Sequence, residues 1–111
     1  MLNQVVLVGR IVYDLELKKS ESLKKYLVLT LAIPRSFKNM EGNYDTDFIR
    51  CIVWDSIAEN TSLYCHKGDI VGVKGRLQSR NIDKQNKKET IMEVIAEKVT
   101  FLTSKATEEK S

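Results

Sequence analysis

The segment from Asp47 to Asp55 has the alternating pattern of a β-strand with two different faces. Successive side chains of a strand point to opposite sides, so the even-numbered positions share one face. These residues are Phe48, Arg50, Ile52 and Trp54. The other face carries Ile49, Cys51 and Val53. Aromatic rings beside a guanidinium are groups that stack on unpaired bases and hold their phosphates. The alternative is a strand buried on both faces, in which Phe48 and Trp54 belong to the core.

Length and composition fit one compact domain. The 111 residues are 42% hydrophobic and 30% charged, and a chain of this size can bury a core without metal or disulfide support. No segment approaches the roughly 20 apolar residues of a membrane span, and no basic stretch precedes the apolar run near the N-terminus. We therefore expect a cytoplasmic protein without membrane association, with a folded domain over residues 1–102 and a short polar tail over residues 103–111.

The cysteines and the histidine do not have the spacing of a metal site. Cys51 and Cys65 are far apart in the chain, and the one histidine, His66, directly follows Cys65. Neither spacing is that of a zinc ligand set. The chain also lacks a nucleophile elbow and a glycine loop for phosphate, which argues against catalysis. We expect two buried thiols, no metal, no cofactor and no enzymatic activity.

Hydrophobic patterning predicts five strands and one helix. The predicted strands are Gln4–Val12, Lys25–Ile33, the segment from Asp47, Asp69–Arg80, and a last one around Ile91–Leu102. Apolar residues in the last segment are spaced much as in a helix, but its β-branched residues favour a strand. Ser56 and Glu59 fit a capping box at the start of the helix, and Gly68 is predicted to terminate it.

Two further residues are predicted to shape the strands. Gly9 interrupts the first strand, which indicates a bulge or a sharp bend. Pro34 is predicted to end the second strand, so that residues 35–46 form a polar loop with Gly42 in its turn. We expect this loop, which contains Phe37, and a second loop over Asn81–Glu89 to be flexible walls of a binding groove.

The order of elements indicates an all-β fold with one helix. Strand, strand, strand, helix, strand, strand is the order of the oligonucleotide-binding (OB) fold, a five-stranded Greek-key barrel with a helix between strands 3 and 4. The same order is compatible with an open sheet covered by one helix, which is the structural alternative.

A row of basic residues follows one face of the fourth predicted strand. Val71, Val73 and Leu77 share one face. The opposite face carries Lys74, Arg76, Gln78 and Arg80. Between Lys74 and Lys88 there are six cations and one acid, and a local field of this sign attracts polyanions. The alternative is a solvated hairpin end.

Several segments, taken in order, resemble the bacterial single-stranded DNA-binding protein (SSB) family. They are Asn3–Arg10, Leu29–Ala32, Phe48–Trp54, Ala58–Glu59, Lys67–Gly68 and Gly75–Arg80. The resemblance runs from residue 3 to about residue 102 and so covers the whole predicted domain. It implies an OB fold, usually a homotetramer although a dimer is also possible, that binds and protects single-stranded DNA independently of sequence. The implied processes are DNA replication, recombination, repair or uptake.

The resemblance also implies which residues bind nucleic acid. The implied stacking platforms are Phe37, Phe48 and Trp54, and the implied phosphate-contacting cations are Arg50, Lys67 and Arg80. At Ile82 the family has a fourth aromatic platform, which is absent here. Charge and face alone add further candidate cations. They are Arg10, Arg35, Lys38, Lys74 and Arg76.

The C-terminus departs from the family pattern. The chain ends Glu108–Ser111, without the acidic, apolar tip through which family members recruit other enzymes. We therefore expect single-stranded DNA as a partner and no recruitment of proteins through such a tip. The alternative function is an OB module that binds RNA or acts as a protein-interaction scaffold.

Overall fold

The computed structural model describes residues 1–103 as six strands and one helix. The strands are β1 (Val5–Ile11), β2 (Lys18–Lys19), β3 (Lys25–Lys38), β4 (Tyr44–Trp54), β5 (Ile70–Lys84) and β6 (Lys87–Thr103). The helix α1 (Asp55–Tyr64) lies between β4 and β5. Nearly all of the predicted polar tail, residues 104–111, lies outside the described residues.

The five long strands form a closed barrel. β1 pairs with β5, β5 with β6, and β3 with β4, all antiparallel, whereas β4 and β6 are parallel. β1 also pairs with β3, through Arg10 with Ala32 and Ile11 with Leu31, and this contact closes the barrel. The predicted five-stranded barrel with one helix is confirmed, and the open-sheet alternative is wrong. The short β2 adds to the edge of β3.

The core lies inside the barrel and follows the period of two expected for strands. Alternate residues of β3, β4 and β5 are almost completely buried. They include Leu27, Leu29, Leu31, Cys51, Val53, Val71 and Val73, none more than 1% exposed. α1 packs on the barrel through the buried Ala58 and Thr61. Within residues 1–103, none of the helices has both the length and the apolar character needed to cross a membrane.

Gly9 lies where β1 passes from β5 to β3. The pairing of β1 with β5 is continuous from Val5 to Arg10, so Gly9 is not a bulge in that register. A Cβ atom at this position would lie 2.8 Å from Ile33 Cγ1 and 2.9 Å from the Ala32 carbonyl oxygen. Glycine is therefore required because β3 approaches closely, and this approach closes the barrel.

The hairpin of β3 and β4 is longer than the sequence predicted. β3 continues past Pro34 to Lys38, and its pairing with β4 shifts register between these two residues. Proline is tolerated at such an irregularity because the missing N–H is not needed by the ladder. The predicted loop over residues 35–46 is therefore wrong, since only residues 39–43 connect the strands.

The predicted loop over Asn81–Glu89 is likewise a regular hairpin. Pairing continues to Lys84 and Lys87, leaving only Gln85 and Asn86 between the strands. Both have positive φ, 50° and 66°. A two-residue turn with φ above zero at both positions matches the right-handed twist of a hairpin. The turn is hard to recognise in the sequence because neither of its two residues is glycine.

The predicted capping box of α1 is wrong. The helix begins at Asp55 with Trp54 as N-cap, and no side chain caps it. Glu59 instead forms a salt bridge with Lys25 of β3. The helix ends at Tyr64, and Gly68 lies beyond it in a turn, where its N–H donates to the Ile11 carbonyl at 2.8 Å. Packing against the barrel thus sets the helix start in place of the local cap.

We expect Gly75→Ala to destabilise the barrel far more than Gly72→Ala. Gly75 lies at the register shift between β5 and β6, where an added Cβ would lie 2.0 Å from the Ile95 carbonyl oxygen. At Gly72 the nearest atoms are 3.8 Å away, an ordinary contact. Gly75→Ala should lower the free energy of unfolding by about 3 kcal/mol, measured by urea denaturation. Similar denaturation midpoints for the two variants would contradict the close approach.

Candidate nucleic-acid interface

One outer face of the barrel carries most of the predicted binding residues. Phe48 of β4 lies beside Ala32 of β3, and Ala32 lies beside Arg10 of β1. On the other side of β4, Ile52 pairs with Ile95 of β6, and Ile95 pairs in turn with Arg76 of β5. Directly paired residues of neighbouring strands share a face. The register therefore places Arg10 and Arg76 on the side of the barrel that also carries Phe48, Arg50 and Trp54, called here the aromatic face.

The aromatic face is open at one end and partly covered at the other. Phe48 is 64% exposed, whereas Ile52 is 6% exposed. Trp54 is partly buried, because its ring packs against Tyr26 with centroids 5.2 Å apart and planes inclined by 39°. The alternative of a strand buried on both faces thus holds at Ile52 and fails at Phe48. Tyr26 was missed by the sequence reasoning, although its place opposite Trp54 follows from the register.

A cleft of about 240 Å³ opens beside the Trp54 ring. Its lining consists of Ile52, Trp54, Gln78, Arg80, Glu93 and Ile95. It therefore offers a flat ring and apolar surface together with a guanidinium and an amide. These groups suit a nucleobase, which has two apolar faces and a polar edge.

Glu93 holds two of the predicted cations in place. Its side chain is 4% exposed; Oε2 accepts a hydrogen bond from Arg50 Nη1 at 3.1 Å, and Oε1 accepts one from Arg80 Nε at 3.0 Å. The two arginine side chains remain about half exposed, at 49% and 48%. Each guanidinium uses one N–H in these bonds and retains others. The cluster has two positive charges and one negative charge, so it remains attractive to phosphate.

Arg35 is not brought to the aromatic face. Its guanidinium donates to Asp47 at 2.9 Å and lies 3.7 Å from Asp45. Asp45 and Asp47 are odd-numbered residues of β4, so their side chains point to the opposite side from Phe48 and hold Arg35 there. The hydrogen bond from Arg35 keeps the pKa of Asp47 below its ordinary value, and the same bond raises the pKa of Arg35. Arg35 therefore stabilises the hairpin of β3 and β4.

The other predicted residues lie around the aromatic face. Lys74 lies between Val6 and Lys98, beyond the register shift of β5 and β6. Lys67 is exposed in the turn after α1, and Arg10 reaches this turn by donating to the Gly68 carbonyl at 2.7 Å.

Two predicted residues lie near the end of the hairpin of β3 and β4. Phe37 is 64% exposed within the register shift, where no residue pair relates it to the aromatic face. Lys38 has a defined partner, since it pairs with Tyr44 across the hairpin, and its Nζ lies 5.8 Å from the centroid of that ring. Lys38 therefore has a defined partner on β4, whereas Phe37 lies in the shifted part of β3 and has none there.

Both cysteines are buried thiols, as predicted. Cys51 is completely buried, and burial raises its pKa to about 11. Cys65 is 4% exposed, and burial, with a smaller effect from Asp69, raises its pKa. Among residues 1–103, no three His, Cys, Asp or Glu side chains come together as a metal site.

Comparisons with known proteins agree with this barrel. A family model described as "Single-strand binding protein family" matches residues 2–102. Single-stranded DNA-binding protein B of Bacillus subtilis is 41% identical over 109 residues, which cover 97% of this chain and 96% of the relative. Single-stranded DNA-binding protein 1 of Streptococcus agalactiae is 42% identical over 110 residues, covering 98% of this chain and 68% of the relative.

A solved structure gives the same result for the fold. The Plasmodium falciparum SSB in complex with ssDNA superposes with a TM-score of 0.80 at 27% identity, covering 92% of this chain and 96% of that one. The chain belongs to the single-strand binding protein family. The family resemblance and the OB fold predicted from the sequence are confirmed.

We expect the two arginines that hold Glu93 to be coupled in stability. Either Arg50→Ala or Arg80→Ala leaves Glu93 one cationic partner, so each should lower the free energy of unfolding only modestly. The double variant leaves a buried carboxylate without a counter-charge and should lose about 3 kcal/mol or more, well beyond the sum of the two single losses. Urea denaturation measures these free energies.

Adding Glu93→Gln to the double variant provides the control. It removes the buried charge and should restore most of the lost stability. Additive losses from the single variants, or no rescue by Glu93→Gln, would contradict the assigned role of the carboxylate.

Proposed function

We propose that this protein coats single-stranded DNA independently of sequence and protects it. Unpaired bases stack on Phe37, Phe48 and Trp54, while arginines and lysines bind the phosphates. The observation that carries this proposal is the aromatic face itself, where an exposed Phe48 and a partly exposed Trp54 flank Arg50 on one strand. Membership of the single-strand binding protein family supports the same ligand.

Stacking accounts for the lack of sequence preference. Every base has an aromatic face, and each base–aromatic stack contributes roughly 1–3 kcal/mol. Bases in a duplex are already stacked on their neighbours, so duplex DNA is a poor ligand. The cleft beside Trp54 accepts one unpaired base against the indole, above the apolar floor of Ile52 and Ile95.

Phosphate binding adds a contribution to the binding free energy that depends on the salt concentration. Arg50 and Arg80 are anchored to Glu93 by one N–H each, and their other N–H groups remain for phosphate oxygens. Arg76, on the same face, and Lys67 are the further contacts that we assign to phosphate. Each phosphate neutralised releases condensed counterions, so affinity falls steeply as salt concentration rises. No step of this mechanism makes or breaks a covalent bond, and we assign the protein no enzymatic activity.

The cellular setting follows from the ligand. Single-stranded DNA is exposed during replication, recombination, repair and uptake, and we assign the protein to one or more of these processes. We place it in the cytoplasm, in association with the nucleoid. We take residues 1–102 as the DNA-binding domain.

We further propose that the protein is a homotetramer in which β1 pairs with β1 of a second copy. β1 pairs with β5 along one edge, while among residues 1–103 only Arg10 and Ile11 pair with β3 along the other. The edge of Val5–Val8 is therefore open to another strand. Val6 and Val8 on its outer face are 69% and 53% exposed, as expected of residues that a second copy covers.

The function is tested by titrating the protein with poly-deoxythymidine and following the fluorescence of Trp54, the only tryptophan. Stacking against a base should quench the emission, and Phe48→Ala should weaken binding by roughly 1–3 kcal/mol without loss of fold. Tyr64→Ala is the matched control, because Tyr64 on α1 is 69% exposed and lies off the aromatic face. Unchanged emission at low salt, or equal effects of the two variants, would overturn the proposal.

The oligomer is tested by light scattering. The wild-type protein should have the mass of four chains, and Val8→Glu should reduce it because a carboxylate replaces an apolar side chain on the outer face that the second copy covers. Leu63→Glu, at a 67% exposed position of α1, should leave the mass unchanged. A wild-type monomer, or a Val8→Glu variant that still has four chains, would show that β1 does not join the copies.

A further inference from the structure

Tyr44 is an exposed aromatic residue that the sequence reasoning placed in a polar loop. It is instead the first residue of β4 and is 57% exposed. Exposure alone does not distinguish it, because Tyr13 and Tyr64 are exposed to similar extents. Its position in the register does, since Tyr44 and Phe48 are both even-numbered residues of one strand and point to the same face.

The spacing of Tyr44 and Phe48 along β4 leaves room for a separate base on each ring. Four residues of an antiparallel strand span about 14 Å. Between them, Thr46 pairs with Pro34, and both residues are small enough to leave the path along β4 open. Tyr44, Phe48 and Trp54 therefore lie in one line along β4.

A cation accompanies Tyr44. Lys38 lies directly across the hairpin, and its Nζ is 5.8 Å from the centroid of the Tyr44 ring. Because the ammonium lies over one face of the ring, a base can stack on the other face while the ammonium binds the phosphate by charge. The nearby acid Asp45 lies on the opposite side of β4, where Asn39 and Arg35 contact it.

The end of the hairpin is ordered by its own hydrogen bonds. Asn39 Oδ1 accepts from the backbone N–H groups of Glu41 and Asn43, at 2.9 and 3.0 Å. The backbone N–H of Asn39 also donates to the Asn43 carbonyl at 2.7 Å. Gly42 has a φ of 85°, which suits glycine in this turn. Because the turn is held in this way, the backbone that carries Tyr44 has a defined position at the start of β4.

We propose that Tyr44 and Lys38 form a further nucleotide subsite, in which the phenol ring stacks on an unpaired base and the ammonium binds the adjacent phosphate. The subsite rests on the proposed function and extends it along the hairpin of β3 and β4. It lengthens the path of the nucleic acid beyond Phe48, at the end of β4 that is farthest from Trp54.

The subsite is tested with labelled deoxythymidine oligomers of graded length, followed by fluorescence anisotropy. Tyr44→Ala should weaken binding of long oligomers about 5- to 150-fold, the range that corresponds to one base–aromatic stack. Tyr44→Phe keeps the ring and should bind as the wild type does. Tyr64→Ala, the exposed tyrosine off the aromatic face, should also be unchanged. Lys38→Ala should reduce the slope of log affinity against log salt by about 0.7.

Oligomer length separates a subsite from a structural effect. In the wild type, affinity should rise with length until the whole path is filled, and Tyr44→Ala should reach its plateau at a shorter length. Short oligomers that fill only the Phe48 and Trp54 positions should bind both proteins equally. A Tyr44→Ala variant that weakens short and long oligomers alike would overturn the subsite.

A parallel Phe48→Ala titration separates this inference from the proposed function. If Phe48→Ala weakens binding and Tyr44→Ala does not, the subsite is wrong and the function stands. If neither variant weakens binding, the proposed stacking function itself fails.

Discussion

Closure of the barrel at Gly9 is the constraint on which the interface depends. Because residue 9 has no side chain, β3 can approach β1 closely enough for Arg10 to pair with Ala32. That contact turns a sheet into a barrel and places Arg10, Ala32 and Phe48 in one row across three strands. With the inner faces of these strands filled by leucine, isoleucine and valine, the opposite faces point outward. The aromatic residues are exposed because the barrel is closed beneath them.

A second constraint is electrostatic. An interface that attracts phosphate through neighbouring arginines must also offset the repulsion between their like charges. Glu93 does so from a buried position, with one carboxylate oxygen for Arg50 and the other for Arg80. The carboxylate cancels one of the two charges and fixes two long side chains that would otherwise lose conformational entropy on binding. The arrangement weakens the attraction for phosphate somewhat, and in return it fixes the orientation of the two arginines.

Features with a period of two were predictable from the sequence, and features set by tertiary contact were not. The alternation of Phe48, Arg50 and Trp54 indicates the face that binds, and the order of elements limits the fold to a five-stranded barrel or an open sheet, which the contact of β1 with β3 then decides. Glu93 could not be assigned, because only the pairing of β5 with β6 and of β4 with β6 brings it between two distant arginines. The start of α1 was missed for a similar reason, since Glu59 pairs with Lys25 of β3 instead of capping the helix.

The buried thiols have a practical consequence. Cys51 is sealed in the core and has a pKa near 11, and Cys65 is 4% exposed with a raised pKa. Thiol reagents attack the thiolate of an accessible cysteine, so neither native side chain competes for them while the barrel is folded. A cysteine introduced at an exposed position such as Met40, at the end of the β3–β4 hairpin, would react selectively in the otherwise native chain. Dyes or spin labels can thus be attached at the end of this hairpin without removal of the natural cysteines.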